Sequence, residues 1–261
     1  MVELNFFQAI ILSIIQAITE FIPVSSSAHL LLPSKLLGWP DQGLFFDISV
    51  HFGSLLAVIF NFRHEIFSKS FYLSKFFILI VLATIPLVAL TLIFSGITDF
   101  RWSLTSIAIA NILFALLLFA GTKMNLLNTA NNNKVKDISK LTINGALTIG
   151  IWQTLSVISG ASRSGTVITG ALFLGYKPED AAKFSIYLSI PTLIGAMFFG
   201  LLSKDILTED IDILMTFSSI LISFIVSFLT INWFLSFVKR VGYLPFIIYR
   251  LFLGVSILWL I

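Results

Sequence analysis

Gln16-Ala-Ile-Thr-Glu20-Phe-Ile-Pro23-Val-Ser25-Ser26-Ser27-Ala-His29 sets polar and titratable side chains into an otherwise apolar run. A helical pattern from Leu4 to Phe21 is halted at Pro23, whose ring disfavours the α conformation in the residue before it and removes a backbone donor. The three serines that follow are good N-caps for a second helix. Gln16 and Glu20, four apart, share a face of the first helix, while Ser26 and His29, three apart, share a face of the second. The break can thus bring a carboxylate, a hydroxyl and an imidazole together. Inside hydrocarbon such groups are costly unless they face a partner or water, so an intramembrane cluster of this kind marks a functional site.

That the setting is hydrocarbon follows from composition. Hydrophobic residues make up 57% of the chain and charged residues 11%, with 27 phenylalanines among 261 residues, and the mean hydropathy is +1.01. This excludes a soluble globule and implies an integral membrane protein surrounded by membrane lipids. Cysteine is absent, which removes disulfide frameworks and thiolate metal sites. The net charge of +3 fits basic cytoplasmic loops, and no nucleic-acid motif accompanies it. A cleaved signal peptide is not expected at Phe6 to Ile18, because the preceding flank carries Glu3 and no basic residue, and Gln16 and Glu20 interrupt the run.

Outward from the first break, residues 4–37 read as a re-entrant helical hairpin. Each arm is shorter than the ~20 residues that cross a bilayer core. Spans follow at 47–62, 76–95 and 102–121, the last two joined by a turn around Gly96, Asp99 and Arg101. A hydrophilic stretch, 123–140, with Asn131-Asn132-Asn133 at its centre, reads as a linker. Residues 141–175 then repeat the hairpin layout around Ser159-Gly160-Ala161-Ser162-Arg163-Ser164-Gly165-Thr166, and spans at 181–202, 211–233 and 244–261 complete the chain.

A shift of 137 places Gln16 on Gln153, Ser25 on Ser162, Ser27 on Ser164, Leu37 on Leu174 and Gly38 on Gly175 without a gap. One further residue of offset aligns Phe46 with Phe184, Ile48 with Ile186 and Leu55 with Leu193. The fold expected is therefore an all-α polytopic membrane protein made of two repeats, 1–122 and 141–261, each a re-entrant hairpin plus three transmembrane helices. Three spans between the hairpins make the repeat inverted. Loops around Arg63, Lys69 and Lys75, around 123–140 and around Lys239-Arg240 are basic and alternate with poorer loops holding Arg101 or Lys204. The basic side is expected to be cytoplasmic, with both termini and the first hairpin's entry outside.

The second break has its own chemistry. Arg163, flanked by Gly160, Ser162, Ser164 and Gly165 at a helix start, joins a permanent cation to hydroxyls, permissive backbone and exposed N–H groups, a set suited to a phosphate or diphosphate. The bland alternative is a structural ion pair with Glu20. Asp47 and His51, four apart, either line the cavity or form a polar pair at a span start. His64 reads as a loop residue, and Lys183 and Arg250, near span ends, as snorkelling side chains. No zinc-hydrolase spacing occurs.

Glu20 to His29, preceded by Gln16, resembles the acidic motif of the undecaprenyl-diphosphate phosphatase family, the bacitracin-resistance proteins. Ser159 to Thr166 resembles its arginine-bearing motif. The likeness continues through Phe46-Asp47-Ile48 to Gly53-Ser-Leu-Leu-Ala57 and through Ala181-Ala-Lys-Phe-Ser185 to Ile190-Pro191. It implies removal of the terminal phosphate from a C55 polyprenyl diphosphate, which regenerates a lipid carrier for cell-wall precursors. It further implies a bacterial cytoplasmic membrane with the active site on the outer side, and bacitracin as a competitor for the substrate. By resemblance Glu20 is the essential carboxylate and metal ligand, Ser26 and His29 are nucleophile and proton partner, and Arg163 is the diphosphate clamp. Gln16, Ser25, Ser27, Gly160, Ser162, Ser164, Gly165 and Thr166 bind substrate, and the cofactor implied is magnesium or calcium.

Two positions depart from the family pattern. Ser159-Gly160 stands where the family has Pro-Gly, and Val167 stands where it has threonine, with Thr166 one position early. Restoring both is expected to preserve or raise activity. The residues leave open whether serine or a water activated by His29 or Glu20 attacks. They also leave a second function class, a transporter of a phosphorylated lipid or anion, since inverted repeats with broken helices are also a transporter plan. Ser26 and His29 beside Glu20 separate the two, because a transporter needs no nucleophile.

Overall fold

The computed structural model describes residues 4–94, 102–130, 135–203 and 212–261. The turn around Gly96, Asp99 and Arg101, the Asn131–Asn133 centre of the linker and the Lys204 loop lie outside the described residues. Within them the regular structure is helical, apart from one isolated parallel bridge between Lys136 and Tyr176.

The first broken element is α1 (Phe6–Thr19) and α2 (Ser26–Leu36). Asn5 starts α1 with a reciprocal capping box, its side chain accepting from the Gln8 amide while the Gln8 side chain accepts from its own. At 14 and 11 residues these arms are about 21 and 17 Å long, short of the ~30 Å hydrocarbon core. The second broken element, α8 (Ile143–Thr154) and α9 (Arg163–Phe173), is equally short and starts on a Thr142 cap.

Among the described residues, five helices are long and apolar enough to cross a membrane: α3 (Leu44–Asn61), α6 (Lys75–Ile93), α7 (Leu104–Ala130), α10 (Pro178–Leu201) and α11 (Ile213–Val241). The chain is thus an all-helical, polytopic membrane protein. Two short helices, α4 (Arg63–Ile66) and α5 (Lys69–Tyr72), turn the chain between α3 and α6. The segment read as a sixth span is α12 (Leu244–Leu260), 17 residues long.

Two helices outrun their expected ends. α7 continues to Ala130, through the first eight residues of the stretch read as linker. Asn125, counted there as hydrophilic, is buried and donates its amide to the Tyr176 carbonyl at 2.9 Å, so its polarity serves a tertiary contact. α11 runs on to Val241 because Lys239 and Arg240 suit the negative end of a helix dipole, and it stops at Gly242, φ +81°.

Each leading short helix packs on a long helix of the other half, α1 on α11 and α8 on α6, while α3 lies along α11 and α7 along α12. Lipid tails are as apolar as leucine, so small residues and hydroxyls hold such helices together. Along the α3–α11 seam Ser54 Oγ contacts Ser223 Oγ at 3.1 Å and Ser227 Oγ at 3.0 Å. A Cβ at Gly53 would run into the Ile220 carbonyl and lie 2.8 Å from Ser223 Cβ. Phe21, Phe184 and Phe234 fill the interior, whereas Phe7, Phe67, Phe252 and Trp259 stand exposed on the outside.

Candidate active site

The two breaks meet inside the bundle. Between α1 and α2 the chain turns at Val24, whose amide reaches the Ile22 carbonyl, and restarts at Ser25 with φ +73°. Between α8 and α9 it restarts at Ser162 with φ +72°. Among the described residues these are the only non-glycine positions with positive φ, a conformation that costs energy and persists where its surroundings demand it. Ser25 and Ser27 hydroxyls lie 3.2 Å apart, and Ser162 and Ser164 hydroxyls 3.1 Å apart. Ser162 Oγ also caps α9 by accepting from the Gly165 amide, and Ser164 Oγ crosses to donate to the Ile22 carbonyl.

Glu20 is the hub. Its Oε1 accepts from Arg163 Nη2 at 2.9 Å. Its Oε2 accepts from Gln16 Nε2 at 2.9 Å and from Ser26 Oγ at 2.9 Å. His51 Nε2 stands 3.6 Å from the same oxygen. Arg163 is held from behind by donating to the Ser185 carbonyl at 2.8 Å. Glu20, Gln16 and Ser25 are buried, Ser26 and Arg163 partly so, and Ser27 is exposed. The cluster therefore joins a desolvated acid–base pair to a partly accessible hydroxyl.

Of the residues expected from sequence, Gln16, Glu20, Ser26 and Arg163 come together directly. His29 does not reach Ser26: its Nδ1 lies 2.7 Å from the Ser25 carbonyl and its Nε2 2.6 Å from the Tyr249 hydroxyl. The Ser26 hydroxyl is instead bonded to Glu20. Thr166 is fully buried and spends its hydroxyl on the Arg163 carbonyl. Ser159 Oγ is 3.5 Å from Ser27 Oγ, across the two breaks. Val167 is fully buried in the main apolar core.

His51 belongs to the cluster, its Nδ1 anchored on the Asp47 carbonyl at 2.6 Å. Arg250 is no snorkelling side chain: it is fully buried behind both breaks, whereas Lys183 reaches the surface and pairs with Glu65. Tyr249, Arg250 and Ser185 had no local signal of a role, since each is an ordinary span residue until the partner 22 to 227 residues away is known.

Short broken helices carrying a buried carboxylate, a guanidinium and hydroxyls, set among helices long and apolar enough to span a membrane, define a polytopic membrane protein. Residues 9–256 match the model of the bacitracin resistance protein BacA family, and the chain belongs to that family. It is 42% identical over 276 residues to the undecaprenyl-diphosphatase of Alcanivorax borkumensis, covering 98% of this chain and all of the relative. It is 41% identical over 271 residues to the undecaprenyl-diphosphatase of Alteromonas mediterranea, with 99% of each chain covered. The undecaprenyl-diphosphatase of Aliivibrio salmonicida is 42% identical over 275 residues, spanning 98% of this chain and 99% of that one.

Proposed function

We infer that this protein hydrolyses undecaprenyl diphosphate to undecaprenyl phosphate and inorganic phosphate, recycling the lipid carrier of cell-wall synthesis and so conferring bacitracin resistance. The names and full-length coverage of its relatives support this over transport. The observation that carries the chemistry is the Glu20 carboxylate, bonded at once to Arg163 and to the Ser26 hydroxyl.

Cleaving a phosphoanhydride needs an aimed oxygen and charge neutralisation more than covalent assistance. Arg163 offers a planar fork for two phosphate oxygens. When phosphate takes that fork, Glu20 loses a competing cation and becomes a better acceptor for the Ser26 proton. Ser26 Oγ then bonds to the terminal phosphorus as the bridging P–O bond breaks, and water releases phosphate from the serine. This reading gives the proton of Ser26 to Glu20, since His29 is held on Tyr249 and the Ser25 carbonyl. Ser25, Ser27, Gly160, Ser162, Ser164 and Gly165 shape the oxygen-binding surface around the two breaks, and Thr166 supports it through its bond to the Arg163 carbonyl.

Magnesium or calcium fits the donor set. The Gln16 amide oxygen is buried without a hydrogen-bond partner beside the Glu20 carboxylate. Such hard oxygens hold these ions together with substrate phosphates. Among the described residues no group of three or more acidic, histidine or cysteine side chains forms a cage without substrate. The ion supplies charge neutralisation on the phosphoryl oxygens.

In this reading the halves 1–122 and 141–261 are inverted repeats with re-entrant hairpins in the bacterial cytoplasmic membrane, and the site opens to the outer side, where bacitracin competes for the substrate. The matching φ values at Ser25 and Ser162 and the reciprocal packing of α1 on α11 and α8 on α6 support it. The test is phosphate release from undecaprenyl diphosphate by purified protein in detergent with magnesium or calcium. Release that disappears in Arg163→Ala is expected; no release under either ion overturns the reading.

A further inference from the structure

Arg250 lies on α12, far in sequence from both breaks, and is fully buried. It forms no ion pair with any described carboxylate. Its guanidinium binds backbone instead. Nη1 donates to the Pro23 carbonyl of the first break at 3.3 Å, and Nη2 donates to the Gly160 and Ala161 carbonyls of the second at 2.7 and 2.9 Å. These carbonyls sit where the helices have stopped, so no helical amide is available to them, and a carbonyl left unsatisfied away from water is costly.

We propose that Arg250 is a positioning residue of the active site: one guanidinium, by holding carbonyls of both breaks, sets the register in which Arg163 meets Glu20. The fork shape matters, because a planar group with several fixed N–H directions reaches carbonyls on two separate chain segments, whereas an ammonium is a compact point charge. Room for it is made by Gly165, where a Cβ would lie 2.9 Å from Arg250 Nη1. Apart from the Arg163–Glu20 pair, the direct side-chain contacts between the breaks are Ser164 Oγ to the Ile22 carbonyl at 2.9 Å and Ser159 Oγ to Ser27 Oγ at 3.5 Å. The arginine therefore adds a bridge through one guanidinium, with one bond to the first break and two to the second. The pinning stands independently of the reaction; its effect on turnover rests on the phosphatase reading.

The absence of cysteine from the chain permits a clean test. Ser27→Cys with Ser159→Cys places sulfurs across the two breaks, and disulfide formation in membranes reports their register without reference to activity. The rate should fall about tenfold or more when Arg250→Lys is added. Separately, Arg250→Lys in the otherwise unchanged chain should lower kcat about 10- to 100-fold with KM changed much less, at an unchanged folded yield, as expected for reacting groups held slightly out of place. Parent-like cross-linking or parent-like kcat in Arg250→Lys overturns the proposal. So does a parent cysteine pair that fails to form the disulfide, since the breaks then do not meet. Should Arg250→Lys not accumulate in the membrane, Gly165→Ala displaces the guanidinium while keeping it, and an unchanged cross-linking rate there overturns the proposal equally. Loss of all phosphate release in the parent protein with normal cross-linking would count against the phosphatase reading alone.

Discussion

The two breaks share a backbone and divide the chemistry. Ser25 and Ser162 have φ within 1° of each other, each sets up a Ser-x-Ser hydroxyl pair, and each broken helix ends at a glycine of positive φ, Gly38 and Gly175. Gln16 and Gln153 are both fully buried. Yet at the 137-residue shift Ser26 faces Arg163, His29 faces Thr166 and Glu20 faces Val157. One break therefore carries the acid and the hydroxyl bonded to it, the other the cation. A common frame can be loaded with opposite charges, and the site exists only where the two loads touch.

The comparison breaks most violently at its most unequal pair. If Ser26 attacks as proposed, Ser26→Ala should lower phosphate release about 10³-fold or more while a substrate-binding measurement changes little, because the attacking oxygen is lost and Arg163 stays in place. Near-normal release would assign the attack to water. Arg163→Lys, the counterpart position, keeps the charge and loses the fork, so turnover should fall about 10²- to 10³-fold. A release rate within a few-fold of the parent would show that charge alone suffices.

A smaller effect separates frame from load. Val167 lies in the apolar core, and the Arg163 carbonyl that a threonine there would bond already accepts from Thr166. Val167→Thr should therefore cost about 1 kcal/mol, seen as a Tm lower by about 2–4 °C in detergent. The expectation that restoring both family residues preserves or raises activity concerns turnover, and this cost in stability would accompany it. An unchanged Tm would show that the core admits the hydroxyl.

The smallest effect lies beyond the breaks. After α9 the chain is latched to the linker by the Lys136 amide on the Gly175 carbonyl and by Lys177 on Asp137 at 2.6 Å. Hydrogen bonding and charge from Lys177 hold the Asp137 carboxyl below its usual range. A carboxyl lowered in the folded state stabilises above about pH 4 and loses that contribution as pH falls through its folded value. The pair is well exposed, so Asp137→Asn should change Tm by no more than about a degree or two at pH 7. The gap should close on acidification, and one that widened would show the sign to be wrong.

What could be read from the chain was what is encoded locally. Pro23 followed by serines marks a break within a few residues, and Glu20 and Arg163 stand out because charge is expensive in apolar sequence. Pairing information is not local. Ser26 and His29 share a helix face by spacing, yet Ser26 turns back to Glu20 and His29 forward to Tyr249, a choice made by α12 packing beside α2. Asn125 resembled linker because its partner, the Tyr176 carbonyl, lies 51 residues away. Arg250 resembled a span-end cation because nothing nearby in sequence announces three free carbonyls.

The left-handed serines narrow what descent with modification can try at these sites. At φ near +72° a β-branched side chain is a steric outlier, so threonine, the exchange that preserves a hydroxyl, is barred by the backbone. Glycine satisfies the backbone and discards the hydroxyl. Ser25 and Ser162 thus stand where two tolerances barely overlap, and random substitution at either position should yield a nearly empty column of survivors beside permissive neighbours on the lipid-facing helices.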